Sequence, residues 1–301
     1  MSRSLVDHGD RPDRVRIVEV GPRDGLQNEA AVVPADAKVA FVEALADSGL
    51  PVVEVTSFVS PRAVPQLADA DEVLPRVRRR GGVRYPVLVP NMRGMERAER
   101  AGADAVAVFT AASEAFNERN IGMTIRESLE AFQPVLEGAT TLGWWRRGYI
   151  STAFGCPYSG AVDPARVAEV ASELLDLGCD EISVGDTIGV AVPDDVRRVC
   201  DVVLARVPAD RLALHMHDTR GRALDNVVAG LERGVWIYDA SAGGTGGCPF
   251  APGAPGNLAT EALCDLLDRL GIEHGVDSER VRVAALELRT AMTSDQHPSV
   301  Q

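Results

Sequence analysis

The chain has 301 residues, 46% of them hydrophobic and 25% charged, values of an ordinary globular protein that exclude disorder and a fibrous repeat. Asp and Glu (44) outnumber Lys and Arg (31), and the net charge of −13 has the wrong sign for a general nucleic-acid binder. No apolar run approaches the roughly 20 residues that span a bilayer, and five scattered cysteines without a C-x-x-C pair point to reduced thiols in a cytoplasmic protein.

Residues 1–13 are polar, lack the apolar centre of a secretory signal and read as a flexible tail. From residue 14 onward, short β-branched runs alternate with longer helical patterns. Strands are predicted at Val15–Val20, Val52–Thr56, Tyr85–Val89, Ala105–Phe109, Tyr149–Ala153, Glu181–Val184, Leu212–His217 and Val235–Ala240. Most are nearly continuous apolar stretches, the signature of parallel strands covered on both faces. Helices are predicted at Ala35–Asp47, Met92–Ala101, Ser128–Leu142, Pro164–Leu177, Asp194–Arg206 and Arg220–Glu232. Stop glycines follow at Gly49, Gly102, Gly143, Gly178, Gly234 and Gly271. Eight strand–helix repeats with no break in composition predict one (β/α)8 TIM barrel over 14–301, with the barrel proper ending near 271. A helical appendage over Glu279–Thr290 follows it. A doubly wound sheet would require a G-x-G-x-x-G turn after the first strand, and Gly21-Pro22-Arg23-Asp24-Gly25 is not one.

Active sites of such barrels lie at the carboxyl ends of the strands. The first strand ends in Arg23-Asp24, either a structural ion pair or part of a site. Glu54 interrupts the apolar second strand, and a carboxylate there is costly without a partner or a metal. Asp186 follows the sixth strand and reads as an N-cap or a pocket residue. The seventh strand carries His215 and His217, which alternation places on one face near its end. Two imidazoles at this spacing suit one divalent cation, and Asp24 can add a hard oxygen ligand. Six glycines and three prolines in the seventeen residues Ser241–Asn257 describe either a surface linker or a hinged lid. Cys248 sits on it, as inert packing or as a working thiol, and Asn257 as N-cap or ligand. An anionic substrate of this acidic protein needs a metal or a local positive patch.

These residues fall within longer motifs. Val20–Glu29, Thr56–Pro61, Gly155–Tyr158, Gly185–Val190, His215–Thr219 and Gly246–Gly253 together resemble the hydroxymethylglutaryl-CoA lyase family, in order and with compatible spacing from Arg14 to Leu270. The resemblance implies retro-Claisen cleavage of (S)-3-hydroxy-3-methylglutaryl-CoA to acetoacetate and acetyl-CoA, a step of leucine catabolism and ketone-body formation. It implies Asp24, His215, His217 and Asn257 as ligands of a divalent cation, Mg or Mn. Arg23 would stabilise the enolate, Cys248 would be the glycine-loop cysteine, and Glu54 and Asp186 would line the pocket, with His215 a candidate proton relay. An acyl-CoA substrate and a homodimer are further implications, and Arg93, Arg119 and Arg147 are candidate contacts for the CoA phosphates. Departures from the family pattern are Ala30, where many relatives carry lysine, and Gly143–Gly148.

The rival readings are a lyase for a related 3-hydroxyacyl-CoA, a condensing acyltransferase of the same superfamily, a metal-dependent hydrolase and a non-catalytic metal-binding barrel. Such hydrolases place His-x-His on the first strand and use further histidines around the ring. Here the remaining three, His8, His274 and His297, lie away from the strands.

Overall fold

The computed structural model describes residues 12–247 and 256–294. Nine strand segments carry the fold: β1 (Arg16–Glu19), β2 (Val52–Val53), β3 (Thr56–Ser57), β4 (Val87–Leu88), β5 (Ala105–Ala111), β6 (Trp145–Ser151), β7 (Glu181–Gly185), β8 (Leu212–His215) and β9 (Ile237–Ala240). All pairings are parallel, in the order β2-β1-β9-β8-β7-β6-β5-β4-β3. β2 and β3 are two halves of one barrel strand broken at Glu54-Val55, and each half pairs to a different side. Glu54 N donates to Glu19 O at 2.8 Å and Val55 N to Pro86 O at 3.0 Å, which closes the ring. The eight predicted strands are therefore all present, forming a TIM-barrel-like α/β fold.

The helices are α1 (Ala35–Asp47), α2 (Ala70–Arg76), α3 (Met92–Arg100), α4 (Glu114–Ile121), α5 (Ile125–Thr141), α6 (Pro164–Asp176), α7 (Pro193–Val203), α8 (Ala223–Leu231), α9 (Thr260–Leu270) and α10 (Ser278–Ser294). α5 starts three residues before the predicted Ser128 because Thr124 and Glu127 form a capping box. α2 and α4 were not predicted: one is a short helix with Pro75 inside it, the other is polar along most of its length. All six predicted stop glycines have positive φ. α10 packs against α1, α9 and the turn Ala242–Gly244 and buries Val281, Ala284, Ala285 and Leu288, which supplies the predicted appendage. Within α1, the buried Lys38 donates to both Asp69 carboxylate oxygens, at 2.7 and 2.8 Å, and to Gln66 O. Among the described residues no helix is long and apolar enough to cross a membrane. The predicted tail (residues 1–11 of it), the lid segment 248–255 and the chain beyond 294 lie outside the described residues.

The main core lies between sheet and helices, where residues such as Leu45, Phe132, Leu174 and Leu214 are shut from water. Alternation along the strands sends every second side chain to the lumen instead. There, Val18, Val20, Val52, Ala213 and Ile237 form a separate small cluster with Trp145 and Trp236 against it. A second cluster, Leu88, Ala107 and Tyr149, lies elsewhere in the lumen, and charged side chains fill space between the two. β6 begins at Trp145, four residues before the predicted Tyr149, since Arg146 turns outward to Asp180 and Arg147 inward. Two adjacent arginines concealed a strand whose two faces meet different surroundings.

Candidate active site

At the end of β1 the chain enters a tight helical turn, Gly21–Gly25, in which Asp24 N donates to Val20 O at 2.7 Å. A Cβ on Gly25 would lie 2.9 Å from the backbone oxygen of Thr245, so the turn favours glycine there, while one on Gly21 would press on the Glu19 carboxylate at 2.7 Å. The turn presents Arg23 and Asp24 at the barrel mouth. Arg23 Nη1 lies 2.7 Å from Asp24 Oδ1, and Nη2 2.8 Å from Glu54 Oε2. Burial works against the guanidinium charge, but Glu54 and Asp24 outweigh it and hold Arg23 above its ordinary pKa. For Glu54, which is fully buried, burial prevails over the pull of Arg23 and raises the carboxyl. The partner that the sequence demanded for Glu54 is thus Arg23, with the Tyr149 hydroxyl at 3.0 Å as a second.

His215, at the end of β8, and His217 just beyond it face the same point. Their Nε2 atoms are 3.1 Å apart, and Asp24 Oδ2 is 4.0 Å from His215 Nε2. One ligand atom each from Asp24, His215 and His217 lie within 4.8 Å of one another, the geometry of a cation site. Burial raises Asp24, but Arg23, His215 and His217 overcome this and lower its pKa, so it is a carboxylate. Burial and the neighbouring His215 push His217 down to about 3, leaving a neutral imidazole suited to ligation. Asn257 is not an N-cap, since α9 begins at Thr260 after Ala259. Its Nδ2 donates to Asp24 Oδ2 and to Thr245 O, both at 3.1 Å, while Oδ1 is buried without a hydrogen-bond partner. An orphaned amide oxygen beside two imidazoles and a carboxylate fits a hard or borderline divalent cation.

Behind these groups lies a network that inspection of strand ends missed. Asp239, on β9, is 3.2 Å from His215 Nδ1 and accepts from Ser183 Oγ at 2.7 Å. It also takes both terminal nitrogens of Arg147, at 2.5 and 3.1 Å. Arg147 further donates to Glu181 and to the Tyr149 hydroxyl, each at 2.7 Å, and Glu181 also pairs with Arg16. Asp239, like Glu54, is a carboxylate inside an apolar strand, Ile237–Ala240, and the cost of burying it alone marks it in the sequence as a residue that needs a partner.

A cavity of about 720 Å³ opens above this floor. Arg23, Asp24, His215 and His217 line its base, with Phe109, Phe116, Met123 and Phe132 on an apolar wall and Asn28, Asn91 and Asn120 adding polar groups. Glu54 and Asp186 do not line it. Glu54 sits beneath Arg23, and the Asp186 carboxylate is occupied by the backbone N–H groups of Val190 and Ala191, at 2.9 and 3.0 Å. Burial lifts Asp186 to about 6. Of the three arginines considered for CoA phosphates, Arg93 and Arg119 are exposed, and Arg119 stacks 4.4 Å over the Tyr158 ring. Arg147 is corrected: it is 0% exposed, held in the lumen by two carboxylates. Cys248 lies outside the described residues.

A family model described as HMGL-like matches residues 14–286. Mitochondrial hydroxymethylglutaryl-CoA lyase of Rattus norvegicus is 50% identical over 273 residues, which cover 91% of this chain and 84% of that one. The solved HMG-CoA lyase of Brucella melitensis is 51% identical with a TM-score of 0.91, covering 93% of this chain and 99% of that chain. An HMG-CoA lyase of Acinetobacter baumannii, in complex with coenzyme A and 3-methylmalate, is 37% identical with a TM-score of 0.88, covering 93% and 92%.

Proposed function

The chain belongs to the HMGL-like family and is a carbon–carbon lyase for 3-hydroxy-3-methylglutaryl-CoA, and we propose that the side chains gathered at the barrel mouth carry out the cleavage. The 3-hydroxyl loses its proton, the C2–C3 bond breaks, and C3 becomes the ketone of acetoacetate. The bond's electron pair stays on C2 as the enolate of acetyl-CoA, which takes up a proton. Asp24, His215, His217 and Asn257 would hold a divalent cation, Mg or Mn, which supplies Lewis acidity and a template for substrate oxygens.

Arg23 reaches the cavity base with its charge fixed by Glu54 and Asp24, so it can face the thioester oxygen where negative charge grows. A preorganised donor of this kind contributes about 3–4 kcal/mol to the transition state. Asp239 holds the Nδ1 side of His215 and turns Nε2 toward the cavity, where it would ligate the cation; the proton-relay role that the resemblance implies for His215 would require that same nitrogen to be off the cation. Cys248 is assigned, on sequence grounds, to assist protonation of the enolate. The apolar wall excludes water from that carbanion. The acyl-CoA substrate fits a base that offers one guanidinium and a cation site to its anionic end. A homodimer, on the resemblance, and a cytoplasmic location, consistent with the free buried Cys156, Cys179, Cys200 and Cys264, complete the proposal.

The convergence of Asp24, His215 and His217 within 4.8 Å, beside Arg23, is the observation that carries this reading. The test is a steady-state assay on hydroxymethylglutaryl-CoA after chelation. Equal amounts of acetyl-CoA and acetoacetate should form when Mg or Mn is restored, and not before. Turnover that ignores chelation would remove the cation from the proposal, and no cleavage at all would remove the substrate.

A further inference from the structure

Arg23 and His215 stand at the ends of different strands, yet the hydrogen-bond chains behind them meet at Arg147. A guanidinium only donates, so the polarity of each chain is settled from that end. Along one branch, the Tyr149 hydroxyl accepts from Arg147 Nη1 at 2.7 Å and is left to donate to Glu54 Oε2 at 3.0 Å. Glu54 Oε2 in turn receives Arg23 Nη2 at 2.8 Å. The Tyr149 ring also lies close to both guanidiniums, its centroid 4.7 Å from Arg147 Cζ and 5.1 Å from Arg23 Cζ. Along the other branch, Asp239 is bound bidentately by Arg147 and accepts from Ser183, so it stays a carboxylate. It can then only accept from His215 Nδ1, at 3.2 Å, which leaves Nε2 free of hydrogen and turned to Asp24 and His217. Arg147 lies outside the cavity lining and is shut from solvent.

We propose that Arg147 is the positioning residue for both halves of the site, fixing the His215 tautomer through Asp239 and the Arg23 guanidinium through Tyr149 and Glu54. This rests on the reading of Asp24, His215 and His217 as cation ligands.

The experiment measures Mn²⁺ binding by electron paramagnetic resonance, beside kcat and KM, in the full chain and in Arg147→Lys and Tyr149→Phe. Lysine keeps the charge but cannot hold Asp239 bidentately while serving Tyr149 and Glu181. R147K should weaken Mn²⁺ binding about tenfold or more, as loss of an outer partner of a ligating histidine does. Its kcat should fall by as much as about 10²-fold through misplacement of Arg23, with KM moving less. Y149F cuts only the Arg23 branch, so kcat should fall while Mn²⁺ affinity holds, and adding it to R147K should cost less than it does alone. An R147K protein with wild-type Mn²⁺ affinity and kcat per folded molecule, whatever its melting temperature, would overturn the proposal. If R147K does not fold, Asp239→Asn replaces it, since an amide still accepts from Arg147. Weakened Mn²⁺ binding in D239N with reduced kcat in Y149F then supports the proposal, and wild-type values in both overturn it. A wild-type chain that binds no Mn²⁺ sinks the ligand assignment instead.

Discussion

Two interiors lie one strand apart in this barrel, and both exclude water. Between sheet and helices the buried side chains are overwhelmingly apolar, as at Leu45, Phe132, Leu174 and Leu214. Inside the ring, Arg147, Glu181, Asp239 and Glu54 are as deeply buried as those leucines. Barrels of this kind usually fill the lumen with layers of branched aliphatic residues. A buried ion pair is weak support for stability, because desolvation can exceed the Coulombic gain. The lumen's charges are therefore better understood as orientation for the groups above them, and the outer interface as the source of cohesion. Damage to the second should appear in melting alone, and damage to the first in turnover as well as in melting, since removing one partner of a buried pair strands the other charge.

The largest expected effect tests the inner region. Arg23→Met should fold and bind the divalent cation yet lose about 10²–10³ in kcat, the cost of removing one preorganised donor. Near-normal kcat would take Arg23 out of the chemistry and blur the contrast. Leu174→Ala addresses the outer interface: about 2–5 kcal/mol of stability should be lost in chemical denaturation, with kcat of the folded protein intact.

Glu19 sharpens the contrast, being a carboxylate on the outer side of β1. Its Oε1 accepts from Gly21 N and Ala242 N at 2.8 and 2.9 Å, and its Oε2 from Thr260 at 2.6 Å. Burial nevertheless raises it from an ordinary 4.5 to about 7. A folded-state pKa above the unfolded one means that the native protein binds the proton more tightly. Its contribution is complete below pH 4.5 and is lost as pH rises through 7, by up to about 3 kcal/mol. Denaturation of Glu19→Gln against the wild type, followed from pH 4.5 to 7, should show the wild type losing ground over that window. Parallel curves would mean that Glu19 stays ionised throughout. The smallest effect belongs to the exterior. Arg126, 3.4 Å from Glu130 and 85% exposed, should be replaceable by alanine with no measurable shift in melting temperature.

The difference between the two interiors also explains what could be read from the sequence. Hydrophobic runs, stop glycines and the His215-x-His217 spacing are local signals, and each strand, each of six helices and the pair of imidazoles followed from them, while Asp24 joined that pair through the order of strands around the barrel. The lumen network is not local: Arg147 and Asp239 are 92 residues apart, and their pairing exists only once the ring closes. Arg147 also follows two tryptophans and another arginine, a stretch in which no single period stands out. Tyr149 was visible as a strand residue, but its role depends on Glu54 and Arg147 flanking it. The short helices α2 and α4 carry too few apolar positions to show a helical period.

One feature of α1 reaches beyond the barrel. Lys38 is the only lysine in the chain; it is 3% exposed, and its ammonium is occupied by Asp69 and Gln66. Thioesters acylate free amines, and a protein that handles one meets an acylating agent at every turnover. Here no lysine amine stands in the solvent to be modified, so the protein offers its own substrate no exposed lysine to acylate. Amine-directed dyes and cross-linkers will likewise find no lysine on the surface to label.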